Sequence, residues 1–120
     1  MRPYHLHLVS RDVIAEIAFY STYFGFRRVF PDSPEVFLQD DNDFLLAISE
    51  PEQPEQVPQR EFHLGFQAHD TSEARALFER MARDRVPIVV PWTEFAHGTV
   101  KFHCVDPGGY TVEVRWDAPR

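Results

Sequence analysis

Six histidines in a chain of 120 residues set the first question. His5 and His7 are separated by one residue, as are His63 and Gly65, and Thr111, Glu113 and Arg115 alternate in the same way. In an extended strand, side chains two apart share a face, so each stretch offers an ionisable group on one face and apolar residues on the other. Two imidazoles and one carboxylate make a facial set that holds a divalent first-row metal and leaves coordination positions open for substrate. His5, His63 and Glu113 are the candidate metal ligands. One histidine on a strand usually reads as a satisfied or surface residue, and the weight rests on the three occurring together. Imidazoles also move protons near neutral pH, which makes His7 and His103 candidates for general acid or base. Their alternatives are a hydrogen-bonded sheet residue and a partner that orients a metal ligand.

The elements that must position these groups repeat along the chain. Tyr4–Val9 alternates as a strand, and Val13, Ile14, Ile17, Tyr20 and Phe24 recur at helical spacing between a capping Asp12 and Gly25. Strands are expected over Phe26–Phe30, Glu35–Gln39 and Phe44–Ser49, the last two joined by a tight turn at Asp40-Asp41-Asn42-Asp43. The second half gives a strand at Glu61–Gln67 and a helix from Thr71 to about Asp84, opened by Asp70-Thr71-Ser72-Glu73 as a capping box. A strand at Val86–Val90, a loop over Pro91–Gly98 and a hairpin of Val100–Val105 with Tyr110–Trp116 across Asp106-Pro107-Gly108-Gly109 follow. An offset of 58 pairs His5 with His63, Asp12 with Asp70 and Ala18 with Ala76, and an offset of 66 pairs Asp40 with Asp106 and Ala47 with Glu113. Chance likeness of two small α+β units is the alternative. The chain is read as a single domain, 1–120, made of modules 4–49 and 61–116 joined by a proline-rich linker, 50–60.

His5-Leu6-His7-Leu8-Val9-Ser10-Arg11-Asp12, with Ile17-Ala18-Phe19-Tyr20 and Phe24-Gly25-Phe26, resembles the opening of the vicinal oxygen chelate superfamily. Asp106-Pro107-Gly108-Gly109-Tyr110-Thr111-Val112-Glu113 is similar to its closing hairpin. The superfamily includes glyoxalase I, type I extradiol dioxygenases, methylmalonyl-CoA epimerase, fosfomycin-resistance enzymes and bleomycin-binding proteins. The resemblance runs from Tyr4 to Trp116 and implies an α+β fold of two paired βαβββ modules forming a curled mixed sheet around a cleft. It places His5, His63 and Glu113 at ligand positions, with Ala47 where glyoxalase I and the epimerases carry an additional ligand. A two-His, one-Glu set is similar to those of the extradiol dioxygenases, which use Fe(II), and the fosfomycin-resistance enzymes, which use Mn(II). Ring-cleaving members are longer chains, and the basic residues that hold a phosphonate have no match here. The expected cofactor is one divalent ion, with Fe, Mn, Ni and Zn all open. Ala47, Trp92 and Phe95 are expected to line the substrate side, core packing or a dimer contact being the alternative for the two aromatics.

Twelve Lys and Arg against 19 Asp and Glu leave a net charge of −7 and no basic block, so nucleic acid is an unexpected partner. No run approaches the ~18 apolar residues of a membrane span. A single cysteine, Cys104, and an N-terminus without an apolar leader point to a reducing cytoplasm. Cys104 reads as a buried inert thiol, and His69 and His97 receive no role. The expected function is a metal-dependent enzyme of the lyase, isomerase, transferase or dioxygenase type whose small substrate chelates the ion through vicinal oxygens. The alternative is a metal-free binding protein for a drug or natural product, as bleomycin-binding proteins are. Exposed strand edges and the resemblance both imply a homodimer.

Overall fold

In a computed structural model, residues 1–53, 58 and 61–119 are described. The chain divides into two units, 1–57 and 58–120. The first contains β1 (His5–Val9), α1 (Val13–Phe24), β2 (Arg27–Val29), β3 (Val36–Gln39) and β4 (Leu45–Ser49). The second contains β5 (His63–Gln67), α2 (Thr71–Arg83), β6 (Ile88–Glu94), β7 (Val100–Val105) and β8 (Thr111–Trp116). Each is a βαβββ module, as expected. The linker expected over 50–60 falls mostly outside the described residues.

Both helices start where an aspartate can satisfy a free backbone donor. Asp12 accepts from the Ala15 N–H at 3.0 Å, and Asp70 accepts from the Glu73 N–H at 2.7 Å. The second cap departs from the expected reciprocal box, because the Glu73 carboxylate instead accepts from His69 Nδ1 at 2.8 Å. α1 ends on Gly25 at φ +70°, a left-handed conformation that a residue without a Cβ adopts freely.

The first sheet has the order β1-β4-β3-β2 and the second β5-β8-β7-β6. β1–β4 and β5–β8 are parallel and the other pairs antiparallel, so both sheets are mixed. The expected curl is corrected here. There are two separate four-stranded sheets, and in neither do the outer strands pair with each other. Neighbouring strands rotate by roughly 20–25°, and closing a barrel takes about eight of them, so four short strands stay open.

Under α1 lie Leu8, Leu38, Leu46 and Ile48, and under α2 lie Phe102, Cys104, Val112 and Val114, all at 2% exposure or less. Phe78 of α2 packs edge-on against Phe102 with ring centroids 5.1 Å apart. Burial pushes the Cys104 thiol up to about 12, with Asp106 adding to the shift, so it stays protonated and inert at neutral pH. β6 begins and ends later than expected, running through Pro91 to Glu94. Proline is tolerated there because β6 is an edge strand and its register is interrupted between Val90 and Thr93. Among the described residues, no helix is long and apolar enough to cross a membrane.

Candidate functional site

The two tight turns repeat atom for atom. Asp40 Oδ1 accepts from the N–H groups of Asn42 and Phe44, and Asp106 Oδ1 accepts from those of Gly108 and Tyr110. Anchored this way, β4 and β8 run back beside β1 and β5 in matching register. His7 stands opposite Ala47 in the first module, and Gly65 stands opposite Glu113 in the second. On the antiparallel side, Phe37 faces Ala47 and His103 faces Glu113. All of these lie on the sheet face that the module's own helix leaves uncovered, since their strand neighbours are the core residues above.

In the second module, three ionisable side chains meet on that face. His103 Nε2 donates to Glu113 Oε1 at 3.0 Å, because an ionised carboxylate can only accept. His63 Nε2 lies 3.9 Å from the other oxygen, Glu113 Oε2. The His63 and His103 rings stack with centroids 5.6 Å apart and planes 26° from parallel. His63 Nδ1 donates to the Glu61 carbonyl at 3.1 Å, which leaves the lone pair of neutral His63 on Nε2. Glu113 and His103 are about equally covered, at 15% and 16% side-chain exposure, while His63 is more open at 44%. Arg115 reaches to 3.9 Å from Glu113 Oε1 but is held by Asp117 at 2.6 Å. Gly65 leaves the space beside Glu113 open, and a Cβ there would stand 3.7 Å from Oε2.

Neutral His63 Nε2 and a Glu113 oxygen are both metal-donor types. Neighbouring ligands at roughly 2.0–2.2 Å from one ion lie about 3.0–3.6 Å apart, slightly closer than the 3.9 Å between His63 Nε2 and Glu113 Oε2. On a shared ion His63 and Glu113 would have to close by a few tenths of an ångström. Among the described residues, no group of three or more His, Cys, Asp or Glu side chains is gathered so as to hold a metal ion.

The first module presents different chemistry on the matching face. His5 is exposed and meets the Tyr4 ring edge-on at 4.8 Å, and His7 Nε2 shares a 2.7 Å hydrogen bond with Ser49 Oγ. Trp92 lies on the α2 side of the second sheet, opposite Glu113, and Phe95 follows the end of β6, with Lys101 Nζ 5.6 Å from its ring. Trp92 packs against Phe78 with the Arg75 guanidinium 5.0 Å from its ring, and both aromatics line a groove of about 790 Å³ along α2 with Thr71, Ser72 and Val100. His69 is tied to Glu73, and His97 stacks on Phe95. Sequence reasoning passed over Gly65 and Phe37. The signal was available, since the offset of 58 that pairs His5 with His63 also pairs His7 with Gly65, and the offset of 66 pairs Phe37 with His103.

Residues 2–114 match the Glyoxalase/Bleomycin resistance protein/Dioxygenase superfamily. The chain belongs to this superfamily. Its membership bears out the vicinal oxygen chelate resemblance carried by the first strand and the closing hairpin. Among curated proteins, none matches the sequence. A possible glyoxalase from Bacillus cereus is 27% identical, with 95% of this chain and 97% of that chain covered and a TM-score of 0.78. A lactoylglutathione lyase from Agrobacterium tumefaciens is 23% identical over 94% and 91% of the two chains, with a TM-score of 0.73. A superfamily enzyme from Burkholderia phytofirmans reaches a TM-score of 0.80 at 17% identity, covering 97% and 98%. The likeness to the last two is one of fold.

Proposed function

We propose that this superfamily member is a metal-dependent enzyme whose small substrate chelates one divalent ion through neighbouring oxygens. The observation that carries the reading is the 3.9 Å approach of His63 Nε2 to Glu113 Oε2, an imidazole and a carboxylate side by side on one uncovered sheet face. His63 and Glu113 would hold the ion, and His5, the counterpart of His63 in the repeat, is the proposed third ligand. The chemistry such an ion supplies when bound is polarisation of substrate oxygens and stabilisation of an oxyanion or enolate. The chain's own contribution is orientation. The Glu61 carbonyl fixes the His63 tautomer, and Gly65 keeps the approach to Glu113 free of side-chain atoms.

Elemental analysis of protein purified without added metal tests the reading. About one equivalent of a first-row divalent ion per chain is the expected result. Protein that carries none, and takes up neither Mn(II), Fe(II), Ni(II) nor Zn(II) on titration, would overturn it and leave a metal-free binding protein as the account of this fold.

A further inference from the structure

A glutamate has two oxygens and a broad terminal torsion, so a carboxylate at the end of three rotatable bonds is not aimed by its own geometry. Something must choose which oxygen faces His63. We infer that His103 is a positioning residue that engages Glu113 Oε1 and so presents Oε2 alone to the ion, an inference that rests on the metal reading above. His103 and Glu113 are direct cross-strand partners in β7 and β8, and the Nε2 to Oε1 distance is 3.0 Å. With Oε1 occupied, the free oxygen is the one 3.9 Å from His63 Nε2. The stacking of His103 on His63 braces both rings, so one side chain steadies the two donors.

The internal repeat supplies an independent control. In the first module, the position matching Glu113 is Ala47 and the one matching His103 is Phe37. Where there is no carboxylate to aim, the antiparallel neighbour is a phenylalanine, and His7 on the parallel side shares its hydrogen bond with Ser49 instead.

The test is titration of the metal-free protein with Mn(II), followed by calorimetry, for the wild type, His103→Phe and His103→Gln. Phenylalanine is the first module's own residue at this place, and glutamine restores an N–H near the position of the imidazole Nε2. Loss of a hydrogen-bonding partner behind a metal ligand typically weakens binding about 10–100-fold, and that loss is expected for His103→Phe with most of it recovered in His103→Gln. The Co(II)-loaded forms should follow suit, with the visible spectrum altered by Phe and returned toward wild type by Gln. His103→Leu removes the same donor with a smaller side chain and preserves the comparison if the Phe variant does not fold. Wild-type affinity in the Phe and Leu variants overturns the inference while leaving the metal reading intact, and so does a Gln variant as weak as they are. A wild type that binds no Mn(II) overturns the metal reading, and the inference with it.

Discussion

The two modules share a frame and differ in what they place on it. Both have a capped helix over a four-stranded mixed sheet of the same strand order, and both close their last hairpin on an aspartate that binds two backbone N–H groups. On the uncovered face, the second module carries His63, Gly65, His103 and Glu113 where the first carries His5, His7, Phe37 and Ala47. Among the described residues, only the second module pairs a carboxylate with imidazoles on its own face. The difference teaches that the repeat preserves the backbone constraints while the side chains on the free face diverge. Cores diverge too, but by volume: Leu38 of the first module corresponds to Cys104 of the second, and both are fully buried.

That core comparison gives the largest expected effect. Leu38→Ala should cost about 2–5 kcal/mol in urea unfolding, because it opens a cavity under α1. A loss below 1 kcal/mol would mean that the first core collapses around the change. The free-face comparison comes next. Gly65→His imports the first module's residue beside Glu113 Oε2, where even a Cβ would already touch, and should weaken Mn(II) binding at least about tenfold, or about 1.4 kcal/mol. Unchanged affinity would show that the open space beside Glu113 has no role.

The caps should behave alike if the frame is truly shared. Asp12→Ala and Asp70→Ala should each cost about 1 kcal/mol, read as similar shifts in the denaturation midpoint. The smallest effect separates the modules again, since only α2 has a histidine beside its cap. Its hydrogen bond to Glu73, followed by the charge of Glu73, raises the His69 pKa above 6.5. The folded pKa exceeds the unfolded one, so this stabilisation is fully present below about pH 6.5 and is lost as pH rises through the raised folded value. Wild type and His69→Gln should therefore differ slightly in melting temperature at pH 5.5 and coincide at pH 8.5. A difference independent of pH would contradict the assignment.

Much of this frame was legible in the residues because it rests on local rules. Asp12, Gly25 and Asp70 mark helix ends by the chemistry of free backbone groups, and alternation put His63 and Glu113 on one face without any knowledge of pairing. What alternation cannot supply is register. That His103, not His7, is the cross-strand neighbour of a carboxylate depends on the hydrogen bonds between β7 and β8, which set partners no local pattern names. The same holds for Trp92, which reads as a loop residue by the proline before it yet lies in an edge strand that packs against Phe78. The expected curl failed for a related reason, since sheet closure depends on the number and length of strands and not on the signals that mark each one.

The central claim is that the second module's face holds the ion through His63 and Glu113. Its most direct test is a Mn(II) titration of Glu113→Ala, which gives the second module the first module's residue at that position. The variant should fold, with a melting temperature near that of the wild type, and should lose Mn(II) binding by at least about 100-fold, as expected when a ligand and the geometry it supports are removed together. Wild-type affinity in a folded Glu113→Ala protein would contradict the account.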